Sequence, residues 1–344
     1  MISVKKGKRI LTIILGMLLV GIMLVSVGCS GDGEKTPGEV EKPKLVFADA
    51  GWDSMCFHND VAKLIIENGY GYETEITPGT TMVTFEGLKR GDIDIYMETW
   101  TDNINTYQEA LEKEDIKEIA INYSDDRQGF YVPTYVIKGD LERGIEPLAP
   151  DLKTIEDLPT YWEIFRDPED KTKGRIYGAI PGWSVDEIMS EKVKNYGLDE
   201  TYNLFRPGSE TALSTSLMKA VKEGEPWVGY YWEPSWIVGK YDMTYIEEPV
   251  YDEMKWNDGY VCTIPSVKIT VCVSNEMFNK APDVVEFLKK YQTSSLLTSE
   301  ALMYMHDNDV DTLEAAKWFL RENKDLWTKW VPEDVVTKVE EAIK

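Results

Sequence analysis

Four tryptophans are placed where an open α/β sheet binds ligands, just beyond the C-terminal ends of predicted strands. Trp52 and Trp100 stand 48 residues apart and follow the first and third strands of one predicted unit. Trp183 and Trp232 stand 49 apart and follow the matching strands of a second unit. Aromatic faces in that position hold a cation through the ring quadrupole, each desolvated ring contributing about 0.5–2 kcal/mol. Other candidate groups lie beside them. Asp53 adjoins Trp52, and Glu98 is two residues before Trp100. Gly182-Trp183-Ser184 opens a helix, so its backbone N–H groups, helped by the Ser184 hydroxyl, can receive an anion. Tyr131 is a further possible wall, or a strand-core tyrosine. Asp53 can equally be a helix cap, and Glu98 a surface acid at a strand end. The remaining seven of the eleven tryptophans read as structural.

Other chemistry is poorly supplied. Two histidines, His58 and His306, leave little for metal ligation or a Ser-His-Asp triad, and each reads as an ordinary surface or helix residue. Cys56, Cys262 and Cys272 lack metal or CxxC spacing and read as buried free thiols, with Cys262 and Cys272 the one pair compatible with a disulfide. No metal site and no cofactor is expected.

The elements that position the tryptophans alternate. Strands are predicted at 45–48, 72–76 and 93–97, separated by a helix ending at Gly69 and another stopping at Gly91. The second unit repeats the plan. Strands at 176–180, 204–206 and 227–231 are separated by helices at 184–195 and up to Gly224. This pattern predicts α/β architecture with parallel sheets covered by helices on both faces. Strands at 129–137 and 267–273 read as the two crossings between lobes, forming a hinge. Lobe 1 is expected at 44–137 plus 251–344, and lobe 2 at 138–250.

The N-terminus is a different kind of segment. Lys5, Lys6, Lys8 and Arg9 precede an uncharged apolar run at 10–27 that ends at Gly28-Cys29. This is the pattern of a secretory signal, residues 1–28. Cys29 after a glycine resembles the lipid-accepting cysteine of bacterial lipoproteins, although Ser26 stands where leucine is commonest. Residues 29–43, rich in Gly, Pro and charge, then form a lipidated, flexible tether. The resulting location is the outer face of the cell membrane. The full chain carries 37 basic and 61 acidic side chains, and removing the four basic residues of the signal leaves 33 against 61, about −28. Nucleic acid, which needs a basic surface, is excluded as a partner.

Ala50-Gly51-Trp52-Asp53-Ser54, Gly91-Asp92-Ile93-Asp94 with Glu98-Thr99-Trp100, residues 129–133, and Tyr231-Trp232-Glu233-Pro234-Ser235-Trp236 followed by Lys240-Tyr241-Asp242 resemble, in order, segments of the glycine betaine, proline betaine and choline binding proteins of ABC importers. The resemblance implies a two-lobed type II periplasmic-binding-protein fold with a hinge and a ligand cleft. It implies a small quaternary-ammonium ligand, such as glycine betaine, choline or carnitine, caged by Trp52, Trp100, Trp183 and Trp232. It implies delivery to a membrane permease and ATPase, with no catalysis. A trimethylammonium group has charge but no N–H, so rings suit it better than hydrogen-bond acceptors. The backbone amides at Gly182-Trp183-Ser184 are the implied seat of a ligand carboxylate. Ser235 departs from the histidine that glycine betaine binders often carry there, which weakens one carboxylate contact, while Asp53 and Glu98 favour a net cation.

Two other readings compete. Tryptophan platforms also stack sugars, with Asp53 and Glu98 as the paired carboxylates of an extracellular carbohydrate-active hydrolase. Alternatively, the same fold holds an amino acid or a polyamine.

Overall fold

Among the described residues ten strands form two five-stranded sheets built to the same plan. The computed structural model describes residues 42–265 and 268–344. The expected signal, Cys29 and nearly all of the tether lie outside them. The strands are β1 (Leu45–Asp49), β2 (Thr74–Pro78), β3 (Ile95–Trp100), β4 (Ile116–Tyr123), β5 (Arg127–Pro133), β6 (Gly174–Tyr177), β7 (Tyr202–Phe205), β8 (Gly229–Glu233), β9 (Met243–Tyr245) and β10 (Ile269–Ser274). The first sheet has the order β2-β1-β3-β10-β4 and the second β7-β6-β8-β5-β9. In each, three parallel strands carry the βα units, and a fourth strand enters antiparallel. That fourth strand follows the edge strand of the other sheet: β5 follows β4, and β10 follows β9. Each lobe is therefore completed by the chain leaving its neighbour.

This exchange corrects the expected connections. The purely parallel sheets are mixed. The strand expected at 129–137 is β5, which already lies in the second sheet, so the first crossing falls at residues 124–126. β4, which sequence patterning did not anticipate, is the edge strand paired to β10. Val267, the first residue of the expected return strand, lies outside the described residues.

Side-chain and backbone chemistry sets the element ends. The helix Asp53–Ile65 runs on into a wider π-helical turn, Ile66–Tyr70, and ends at Gly71, whose φ of +73° needs glycine. Gly69, expected to end it, has another role. A β-carbon there would lie 2.5 Å from Val335 Cγ1, so the glycine permits close packing of the helix Glu333–Ala342. The helix Thr312–Glu322 packs on the helix Asp53–Ile65 through an edge-to-face contact of Phe57 with Phe319, centroids 5.3 Å apart. The helix Ser184–Asn195 falls at its expected bounds. A buried ion pair fixes its far end, Lys192 Nζ donating to Glu248 Oε1 at 2.6 Å. Losing one partner of such a pair strands the other's charge. Among the described residues no helix is long and apolar enough to cross a membrane. Cys56, Cys262 and Cys272 are free thiols.

Candidate functional site

Two of the four tryptophans occupy the same local position in the two halves. Trp52 is the N-cap of the helix after β1, and Trp183 is the N-cap of the helix after β6. Both are extended (φ −129° and −77°), and neither provides a capping hydrogen bond. Tryptophan replaces the polar cap a helix start favours, at a cost of about 1 kcal/mol. Breaking a local rule at equivalent positions marks a site rather than a packing choice. The other two sit on the third strands. Trp100 ends β3 and Trp232 lies within β8, so both belong to strands rather than following them.

The rings converge. Trp183 stands edge-on to Trp52 (centroids 5.6 Å apart, 80° between planes) and to Trp232 (5.1 Å, 86°). The four rings, with Tyr230 and Val185, wall a small cavity of about 30 Å³. Thr81, Asn103 and Ser184 are its polar contributors. Thr81, Asn103, Val185 and Tyr230 were not anticipated. Tyr230 had a signal, since residues two apart on a strand share a face and Tyr230 precedes Trp232 by two. Its hydroxyl donates to Gln128 Oε1 at 3.1 Å, and Asn103 Nδ2 donates to the same oxygen at 3.3 Å.

Glu98 orients the rings from behind. It is fully buried and does not line the cavity. Its Oε1 accepts the Trp52 indole N–H, the Trp100 indole N–H and the Ser54 hydroxyl, each at 2.9 Å. Burial pushes its carboxyl up to about 7, against the opposing hydrogen bonds from Trp100, Ser54 and Trp52. His58 Nε2 lies 4.0 Å from Glu98 Oε2 but does not neutralise it. His58 is the helix residue of the two readings, on the helix Asp53–Ile65; it is wholly buried, and that burial lowers its pKa to about 3, so it is neutral. Glu98 is not the surface acid considered above.

Asp53 is the first helical residue rather than the cap, and it is absent from the cavity wall. Its backbone N–H donates to Glu210 Oε2 at 2.9 Å. Glu210, on the helix Glu210–Glu223 after β7, was missed by sequence reasoning. Burial and then the Asp53 carboxylate hold Glu210 well above the ordinary carboxyl range. Asp53 is likewise raised by burial. Across the cleft, Thr81 N–H donates to Gly182 O at 3.1 Å, and Ser184 N–H donates to Thr81 Oγ1 at 3.3 Å. Gly182 has φ +102° and meets Thr80 there. Tyr131 is away from the cavity: its hydroxyl donates to Glu233 Oε1 at 3.0 Å, and its ring packs edge-on against Tyr245. Ser235 caps the helix Trp236–Lys240 by accepting from Val238 N–H.

The family model for the substrate binding domain of ABC-type glycine betaine transport systems matches residues 43–322. The chain belongs to that family. Its members are the extracytoplasmic substrate-binding components of ABC importers. Among curated relatives, the trimethylamine N-oxide-binding protein of Pelagibacter ubique (strain HTCC1062) is 25% identical over 319 residues, covering 90% of this chain and 97% of the relative. Among solved structures, an ABC-transporter choline binding protein in complex with choline superposes with a TM-score of 0.69 at 20% identity, over 88% of this chain and 98% of that one. The glycine betaine/L-proline-binding protein ProX from Borrelia burgdorferi gives 0.68 at 23% identity, over 86% and 100%. The fold is the two-lobed periplasmic-binding-protein fold, with the cleft where the rings converge.

Proposed function

We propose that this binding protein captures a small quaternary-ammonium compound in the cavity walled by Trp52, Trp100, Trp183 and Trp232 and hands it unchanged to an ABC permease and its ATPase. The carrying observation is the convergence of four indole rings from two lobes on one small cavity. Methylated cations need contact and quadrupole attraction, and this wall supplies both. Three or four rings at about 0.5–2 kcal/mol each account for much of the roughly 8 kcal/mol of micromolar binding. The related proteins named for trimethylamine N-oxide, choline and glycine betaine support the same ligand class. The absence of Glu98 and Asp53 from the cavity wall speaks against their acting as a hydrolase pair.

The test is a thermal-shift screen with calorimetry on choline, glycine betaine, carnitine and proline. A ligand that binds only the folded form raises its melting temperature. Silence from every quaternary amine, or release of reducing sugar from glycans, defeats the reading. Trp232→Ala is expected to weaken binding about tenfold, as one ring of about 1–2 kcal/mol is lost while Tyr230 and Trp183 remain. An unchanged dissociation constant removes Trp232 from the cage.

We further read residues 44–137 with 251–344 and residues 138–250 as the two lobes, the exchanged β5 being counted with the first by sequence and with the second by pairing. Cys29 is the proposed lipid anchor, holding the protein at the outer face of the membrane. Cys29→Ala is expected to move the protein from the membrane fraction to the soluble extracytoplasmic fraction, and a variant that stays membrane-bound argues for an uncleaved span instead.

A further inference from the structure

The polar groups around the cavity discriminate between ligand charges. A quaternary amine with a carboxylate needs donors for that anion, and two helix N-termini meet the cleft in the positions to give them. One N–H of each is already engaged by the opposite lobe. At the helix Asp53–Ile65, the Asp53 N–H is held by the Glu210 carboxylate, reaching from the opposite lobe. At the helix Ser184–Asn195, the Ser184 N–H is held by the Thr81 hydroxyl, and the preceding Trp183 N–H donates to Ile180 O at 3.0 Å. Among the described residues no Lys, Arg or His lines the cavity.

The charge around the rings has one sign. Glu98 lies behind Trp52 and Trp100, Glu210 is buried, and Asp53 is half-buried beside it. Among the described residues neither Asp53 nor Glu210 makes an ion pair, and the only basic group near Glu98 is the neutral His58. Buried carboxylates without a counter-ion are costly, and a fixed positive charge among the rings offsets that cost. A zwitterion brings its own anion and offsets less.

We propose that the ligand is a monocation without a carboxylate, of the choline kind, and that Glu210 selects it by placing a carboxylate where a zwitterion's anion would otherwise bind. This rests on the quaternary-amine reading and narrows it. Glu210 acts through charge and occupancy of the Asp53 N–H, so it is a positioning residue rather than a wall of the cage. Burial pushes both Glu210 and Asp53 toward the protonated form, and a cation held among the rings offsets that cost and favours the charged carboxylates.

Calorimetry at pH 7 with choline, tetramethylammonium and glycine betaine tests it. The wild-type protein is expected to bind choline at least about tenfold more tightly than glycine betaine. Glu210→Gln keeps an acceptor for the Asp53 N–H and removes the charge, so the preference is expected to shrink to about threefold or less. Glycine betaine binding as tightly as choline to the wild type overturns this inference and leaves the cage standing, and so does a preference unchanged in Glu210→Gln. Heat from none of the three compounds overturns both.

Discussion

Trp183→Ala is expected to weaken ligand binding about 100-fold, more than removal of any other single ring. Trp183 is the only cage ring in edge contact with two others, Trp52 at 5.6 Å and Trp232 at 5.1 Å. Those two come from different lobes, so Trp183 is where the walls of the cleft meet. Its removal takes away one aromatic face, about 2 kcal/mol against a desolvated cation. It also frees Trp52 and Trp232 to turn, and ordering them again on binding costs about 1 kcal/mol. Together these give about 3 kcal/mol, or roughly 100-fold. Calorimetry on wild type and variant measures it, with a melting curve showing that the variant is folded. A loss under threefold would mean that Trp183 packs the cleft without touching ligand.

The prominence of Trp183 was partly legible in the sequence. The 48- and 49-residue spacings carried the right information because each pair rides on the same β–α–β–α–β unit. The structure deepens that parallel: both sheets have the same order, and Trp52 and Trp183 both stand at helix caps. What could not be read was anything made by one lobe on the other. Glu210 reaches Asp53 over 157 residues of chain, and Thr81 reaches Ser184 over 103. No local periodicity encodes such pairings. The exchange of β5 and β10 between sheets was obscured for a related reason. An antiparallel strand inserted from a distant segment looks, along the chain, like a continuation of its own lobe. Glu98 was the case where a signal was available and underused. Glu98 and Trp100 are two apart on β3, so they share a face. With β3 buried along its whole length, that shared face is interior, and Glu98 had to be a buried acceptor rather than a surface acid.

Glu98 gives the second large effect, on stability as well as binding. Its carboxyl titrates at about 7 when folded against an ordinary 4.5, so between those values the folded chain holds a proton that the unfolded chain has released. Stability contributed by this group is therefore present at acid pH and falls as pH rises through that window, by roughly 3 kcal/mol in all. Asp53 and Glu210, also raised, slope the same way, while His58, Tyr123 and Tyr291 around Glu98 are neutral across this range. Glu98→Gln keeps an oxygen for the two indole N–H groups and abolishes the charge. Its melting temperature is expected to fall less between pH 5 and pH 8 than that of the wild type. Binding moves the other way. A cation beside Trp52 and Trp100 favours the ionised carboxylate, so ligand binding near pH 7 is expected to release a proton in the wild type, and less in Glu98→Gln. Calorimetry in buffers of different ionisation enthalpy reads that proton. Glu98→Ala is the severe form: it leaves two indole N–H groups and the Ser54 hydroxyl buried without their acceptor, at about 1–3 kcal/mol each. A Glu98→Gln protein whose pH profile and proton release both match the wild type would show that the carboxylate's charge plays no part in holding the cage to its ligand. The indole hydrogen bonds alone would then carry its role.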